Sequence, residues 1–223
     1  MLLAARDAET GESMPPEQIR NEVLTLLLAG LETTANALAW AFYLLSGAPE
    51  VEGKLRDELD QVLGGRLPTV EDLALLPYLM MVVQEAMRLY PPAWAISRAA
   101  IADDEIMGYR IPAGANVLLS QWATQRHPEF WSDPDRFDPE RFQPDQMAKR
   151  PRYAYFPFGG GPRLCFGDQF ALTEARLLLA TVLQNYRLRL AQTDPVEPEP
   201  LVTLRPRNGI MMTLETVHRA AAA

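Results

Sequence analysis

The ten residues Phe158-Gly159-Gly160-Gly161-Pro162-Arg163-Leu164-Cys165-Phe166-Gly167 decide how the rest of the chain is read. They hold the single cysteine of a 223-residue chain and four of its glycines. A lone cysteine is most often a small buried hydrophobe. Here the glycines let the backbone approach a flat ligand and adopt conformations closed to other residues. A helical pattern begins at Asp168, so its N-terminal N–H groups point back toward Cys165. That is the setting of a ligating cysteine rather than of a core one. A dinucleotide-binding G-x-G-x-x-G does not fit, because counting from Gly159 places Leu164 at the last glycine.

Outward from this loop the chain is mostly helical. The pattern after the cysteine predicts a helix from Asp168 to Tyr186, then a break at the Pro/Glu-rich 194–200, a final pair of short strands, and a disordered Ala tail. Upstream, the Pro-, Asp-, Arg- and Phe-rich stretch from His127 to Arg152 fits neither helical nor strand periodicity, and its aromatics predict an irregular but ordered segment. Residues 93 to 120 predict a small sheet with strands at Ile106–Tyr109, Arg110–Ile111 and Asn116–Leu119, punctuated by Gly108 and Pro112-Ala113-Gly114.

Tyr78 to Tyr90 predicts a helix with Leu79, Val82, Val83, Ala86, Met87 and Tyr90 on one side, stopped by Pro91-Pro92. Thr69 with Asp72 resembles a helix-start cap. Residues 50 to 63 alternate charge and apolar positions as a half-exposed amphipathic helix. Glu17 to about Leu45 predicts one long, largely buried helix, with Pro15 and Pro16 suited to its first turn.

Composition narrows the function. With 48% apolar residues the chain can build a sizeable core. A net charge of -8 and the lack of a basic stripe argue against nucleic acid as a partner. No stretch reaches the roughly 18 unbroken apolar residues of a membrane span, and the opening MLLAARDAETGES has no signal-like core. A soluble, cytoplasmic protein with no membrane anchor is expected. His127, His218 and the one cysteine make a poor zinc set.

Two further groups of residues break the apolar pattern. In the first helix, Ala29-Gly30-Leu31-Glu32-Thr33-Thr34 places a glycine, a carboxylate and two hydroxyls where each is costly, about 1 kcal/mol for the glycine alone. Taken alone, Thr33 and Thr34 read as hydroxyls bonded back to helix carbonyls. Glu85 and Arg88 lie one helical turn apart in an otherwise apolar helix, and such a pair needs further partners if buried. Arg141, in Pro139-Glu140-Arg141-Phe142, is the candidate.

The spacing of Phe158, Gly161, Arg163, Cys165 and Gly167 is similar to the haem-binding signature F-x-x-G-x-R-x-C-x-G of cytochromes P-450, at every fixed position. The 29–34 segment resembles the same family's oxygen-binding pattern A/G-G-x-D/E-T-T. The resemblance covers nearly the whole chain, in family order, but only the C-terminal half of the family's fold. It implies a mainly α fold with small β-sheets, comprising a long distal helix, a Glu-x-x-Arg helix, a cysteine-ligand loop and the following helix. Residues 1–223 would be a partial domain without the N-terminal half.

The resemblance implies haem b held by the Cys165 thiolate, with Phe158 packed near the sulfur and Gly159, Gly161 and Gly167 shaping the loop. Arg163 and Arg98 would meet haem propionates. Ala29 and Gly30 would leave a groove for dioxygen, and Glu32 with Thr33 would form an acid–alcohol pair delivering protons. Glu85, Arg88 and Arg141 would be a buried structural triad. Ala93, Trp94, Ala95 and Ile96 would line a pocket for a small hydrophobic substrate such as a fatty acid or terpenoid, with Trp94 as its wall, and the turn at Asn208–Ile210 would join them.

Electrons would come from NAD(P)H through a separate ferredoxin, flavodoxin or reductase, docked on Lys149, Arg150 and Arg152. Two readings stay open. One is a haem-thiolate monooxygenase or a portion of one. The other is a truncated, non-catalytic fragment unable to hold haem without the missing half, whose counterpart face would be exposed.

Overall fold

A computed structural model describes residues 2–217. His218 and the alanine tail lie outside the described residues. Four helices form the main body: α1 (Pro16–Ser46), α2 (Pro49–Leu63), α3 (Pro77–Leu89) and α6 (Asp168–Asn185). Each of the first three opens on a proline, whose fixed φ suits a first turn with unbonded N–H groups. Two single-turn helices, α4 (Gln121–Thr124) and α5 (Pro144–Met147), lie between α3 and α6.

The strands form four separate antiparallel pairs. β1 (Ile96–Ala99) pairs with β4 (Asn116–Leu119), and β2 (Asp104–Ile106) with β3 (Tyr109–Ile111). β5 (Tyr186–Leu190) pairs with β8 (Met212–Thr216), and β6 (Pro198–Pro200) with β7 (Leu204–Pro206). α6 runs straight into β5, one residue short of the predicted helix end.

The core lies where the four long helices meet, with Leu45 of α1, Leu55 and Leu59 of α2, Leu79 and Val82 of α3, and Leu179 and Leu183 of α6 all excluded from solvent. Burying such side chains stabilises by roughly 1.5–3 kcal/mol each. A smaller cluster of Trp131, Phe142 and Ala154 organises the irregular segment, as its aromatics predicted.

Three expectations need correction. α1 is not largely buried: Thr34, Ala37, Trp40, Ala41 and Leu45 are, but Leu28 and Leu31 are 72% and 71% exposed. Its neighbours α3, α6, β5 and β7 meet only part of a 31-residue helix. By length and composition α1 also reaches the measure of a membrane-crossing helix despite its polar interruptions; its most apolar 18 residues are only 11% buried, while its later turns pack on α3 and α6.

The expected strand Ile106–Tyr109 is instead a hairpin turn. Ile106 pairs with Tyr109, and Met107 and Gly108 have φ of 53° and 83°, the mirror-image geometry that matches the twist of flanking strands. The final strands do not pair with each other: β7 returns to β6, inside the Pro/Glu-rich break, and β8 returns to β5.

Candidate functional site

The cysteine loop sits between β1 and the start of α6. Gly159 and Gly161 have φ of 78° and 69°, so the chain turns there as only glycine does without strain. A Cβ on Gly160 would stand 2.8 Å from the Tyr153 ring, so this position tolerates no side chain while that ring stays. The Cys165 N–H donates to the Phe158 carbonyl at 3.0 Å, closing the loop, while the Phe158 ring packs on the main core.

The thiol itself is free and exposed. Its Sγ lies 3.9 Å from where a Cβ of Gly167, the N-cap of α6, would stand. The helix N-terminus therefore lies close to the sulfur, where its dipole favours negative charge. Gly159 is next to β1, because its missing Cβ would meet Ile96 Cδ1 at 3.6 Å. Arg98 shares a strand face with Ile96 and is half-buried, with Nη1 donating to Ser97 O at 2.9 Å. Arg163 is exposed on the loop. Leu164 and Phe166, flanking the cysteine, are exposed too, Phe166 at 80%.

The donor set fits haem rather than a metal cage. One thiol stands on a glycine cradle rimmed by apolar side chains, and among the described residues no cluster of three His, Cys, Asp or Glu could hold an ion. A single thiolate with apolar surroundings would suit an iron already held by a macrocycle.

Glu85, Arg88 and Arg141 lie together in the interior. Arg88 grips Glu85 through Nε at 2.6 Å and Nη2 at 2.8 Å, with both side chains fully buried. Arg141 Nε stands 3.4 Å from Glu85 Oε1, and the Asp138 N–H donates to that oxygen at 2.9 Å. The remaining Arg88 donors reach the carbonyls of Gln125, Pro134 and Arg136, so its buried guanidinium is partnered on every side. Burial pushes the Glu85 carboxyl up, while Arg88, the Asp138 N–H and Arg141 pull against it.

Sequence reasoning missed Gln125. Its amide donates to the Met87 and Arg88 carbonyls at 3.1 Å and accepts from the Phe156 N–H at 3.1 Å, tying the end of α3 to the approach of the cysteine loop. An amide in a polar stretch gives no signal of such a role.

On α1, Gly30 faces open space. Glu32 and Thr33 are adjacent, but they are not bonded to each other. The Thr33 hydroxyl donates to Ala29 O at 2.6 Å, the back-bond that a helix offers any threonine, and Glu32 Oε1 accepts instead from the Thr203 hydroxyl at 2.5 Å.

Trp94 Nε1 donates to Leu201 O at 2.9 Å, and the half-buried Ala93, Ala95 and Ile96 continue from it into β1. It is the turn between β6 and β7 that meets both α1 and Trp94, whereas Asn208–Ile210 form the turn between β7 and β8. The basic cluster is also not a free trio. Arg150 turns inward, 4.2 Å over the Trp131 ring with Nη1 donating to Arg141 O at 2.7 Å, leaving Lys149 and Arg152 at the surface.

The family model described as Cytochrome P450 matches residues 1–214. Cyclooctatin synthase of Streptomyces melanosporofaciens is 44% identical over 203 residues, covering 91% of this chain and 44% of that protein. Pentalenene oxygenase of Streptomyces avermitilis is 42% identical over 203 residues, covering 91% of this chain and 45% of that protein. The crystal structure of the cytochrome P450DA heme domain superposes with a TM-score of 0.92 at 35% identity, covering 97% of this chain and 49% of that one. The chain thus spans somewhat less than half the length of these relatives.

Proposed function

The chain belongs to the cytochrome P450 family, and on that premise we propose that it provides the haem-binding half of a haem-thiolate monooxygenase acting on a small hydrophobic substrate. The observation that carries this reading is the exposed Cys165 thiol on its glycine loop, set against the first turn of α6. Haem b, when bound, supplies dioxygen activation using two electrons delivered from NAD(P)H by a separate ferredoxin, flavodoxin or reductase. Everything else is the work of the chain's own residues.

Cys165 would hold the iron through its thiolate, and the N-terminal dipole of α6 favours negative charge on the sulfur. Gly159, Gly161 and Gly167 would keep side chains away from the bound group, and Arg163 and Arg98 would offer charge to its carboxylates. Ala29 and Gly30 leave α1 without bulk where dioxygen would be admitted. Thr33 orients water there, and Glu32 passes protons inward. Ala93 to Ile96, with Trp94 as the wall, line one side of the substrate pocket. Relatives named for oxygenating pentalenene and for 5-monooxygenation of cyclooctat-9-en-7-ol favour a mostly hydrocarbon substrate.

The test is haem reconstitution followed by the ferrous carbon monoxide spectrum. A strongly red-shifted Soret band that disappears in Cys165→Ala is expected. No haem uptake by the chain would instead favour the reading of a non-catalytic fragment, to which the exposed half of α1 also points.

A further inference from the structure

The turn between β6 and β7 is bound to its surroundings at four points. Leu204 N donates to Pro92 O at 2.9 Å, Trp40 Nε1 to Leu204 O at 3.0 Å, and Trp94 Nε1 to Leu201 O at 2.9 Å. The fourth is Thr203, whose residue is 7% exposed. Its hydroxyl donates to Glu32 Oε1 and accepts from Asn36 Nδ2 at 3.0 Å.

A threonine hydroxyl has one proton to give. The Asn36 amide occupies a lone pair and so helps direct that proton to the carboxylate. The resulting bond, a hydroxyl donating to a charged oxygen, belongs to the stronger class of hydrogen bonds. Glu32 is exposed, whereas Thr203 is buried and held by the hairpin. The buried partner, tied at several points, sets the position of the exposed one. Glu32 is thereby held away from Thr33, whose own proton goes to Ala29 O.

We propose that Thr203 is a positioning residue that fixes the Glu32 carboxylate, with Asn36 as its orienting partner. The catalytic consequence rests on the reading of Glu32 as the proton-delivering acid, but the placement itself does not. Because the hairpin also holds Trp94 through Leu201, the pocket wall and the acid are referred to the same three-residue turn.

The experiment compares Thr203→Val, which keeps the shape and removes the hydroxyl, with Thr203→Ser, which keeps the hydroxyl. In the chain without haem, the Glu32 carboxyl carbon and the Asn36 side-chain amide are followed by NMR, with thermal melting as a check on folding. Both resonances are expected to move in the valine variant and to return in the serine variant. In the haem-loaded protein, the valine variant is expected to lower the fraction of reductant recovered as hydroxylated product roughly tenfold, the scale of one lost bond to a charged group. Substrate KM should stay unchanged, and serine should restore coupling.

Unmoved resonances in Thr203→Val would overturn the assignment. Unchanged coupling in a variant whose resonances do move would overturn the catalytic consequence and leave Thr203 as a structural partner of Glu32. Absence of the thiolate spectrum from the unaltered chain would count against the monooxygenase reading alone, since the resonances decide the placement of Glu32 without haem.

Discussion

Thr33 has a local role in its helix, and the proton-delivery role proposed for it would separate from that local one under mutation. Its hydroxyl bonds back to Ala29 O, an arrangement that contributes little to helix stability and tends to bend the helix. Thr33→Ala should therefore change thermal stability by no more than about 0.5 kcal/mol. The same change should uncouple the haem-loaded protein, releasing peroxide while reductant is consumed. Peroxide and product measured against NAD(P)H oxidised check this, and unchanged coupling would remove Thr33 from proton delivery. At this scale the sequence was most legible where chemistry is local. Cys165 and its glycines lie within ten residues, and Glu85 and Arg88 within one turn, so spacing alone brought them together. Thr203 was not legible, because it meets Glu32 across 171 positions through a hairpin whose pairing no local pattern announced. Asn36 did carry a signal: an amide one turn after Glu32 in an apolar run calls for a partner. Arg150 misled for the opposite reason, since charge in sequence does not say which arginine lies over an aromatic ring.

At the scale of elements, the helices followed from period and proline, while the strands depended on partners. β1 went unread because Ile96–Ala99 is short and its partner, Asn116–Leu119, lies a full hairpin away. The joint between α2, α6 and β5 is equally nonlocal and rests on Glu52. Arg56 donates to Glu52 Oε1 through Nε at 2.8 Å and Nη2 at 2.6 Å, and Arg189 of β5 donates to Oε2 at 2.8 Å. Arg56 also donates to the Leu183 and Tyr186 carbonyls, capping the end of α6. Burial raises the Glu52 carboxyl, but the hydrogen bonds and charges of Arg56 and Arg189 outweigh it and hold the group below its ordinary value. A carboxyl depressed in the folded state stabilises fully above its unfolded value, near 4.3, and loses that contribution as pH falls toward the folded one. Glu52→Gln should cost roughly 2–3 kcal/mol at neutral pH. The gap to the unaltered chain should begin to narrow as pH falls through the unfolded value, where the carboxyl of the unfolded chain takes up its proton first, and close as the native carboxyl follows at lower pH. Urea unfolding at a series of pH values measures the gap, and a difference constant down to pH 3 would mean that charge on Glu52 is not what ties the joint.

At the scale of the whole molecule, the described residues combine a closed core with an uncovered apolar face. The core among α1, α2, α3 and α6 is closed, and the match to a heme-domain crystal structure over 97% of this chain means that this half has the shape it takes in the longer relative. What differs from the sequence expectation is the first part of α1. Val23, Leu24, Leu27, Leu28 and Leu31 recur at helical spacing and are 42–72% exposed together with Leu26. Leu164, Phe166 and Phe170 add exposed apolar surface around the cysteine loop. Soluble monomers rarely leave such faces uncovered. The chain in isolation should therefore bind an apolar dye strongly and self-associate as its concentration rises. Replacing Leu27 and Leu31 together by glutamate should weaken both effects. The melting temperature should move little, because neither side chain belongs to the closed core and surface changes are usually worth within about 0.5 kcal/mol. Dye fluorescence and sedimentation on the paired variants read the outcome. Association that persists undiminished in the double variant would place the adhesive surface at the cysteine loop, where Phe166→Ser and Phe170→Ser should then abolish it.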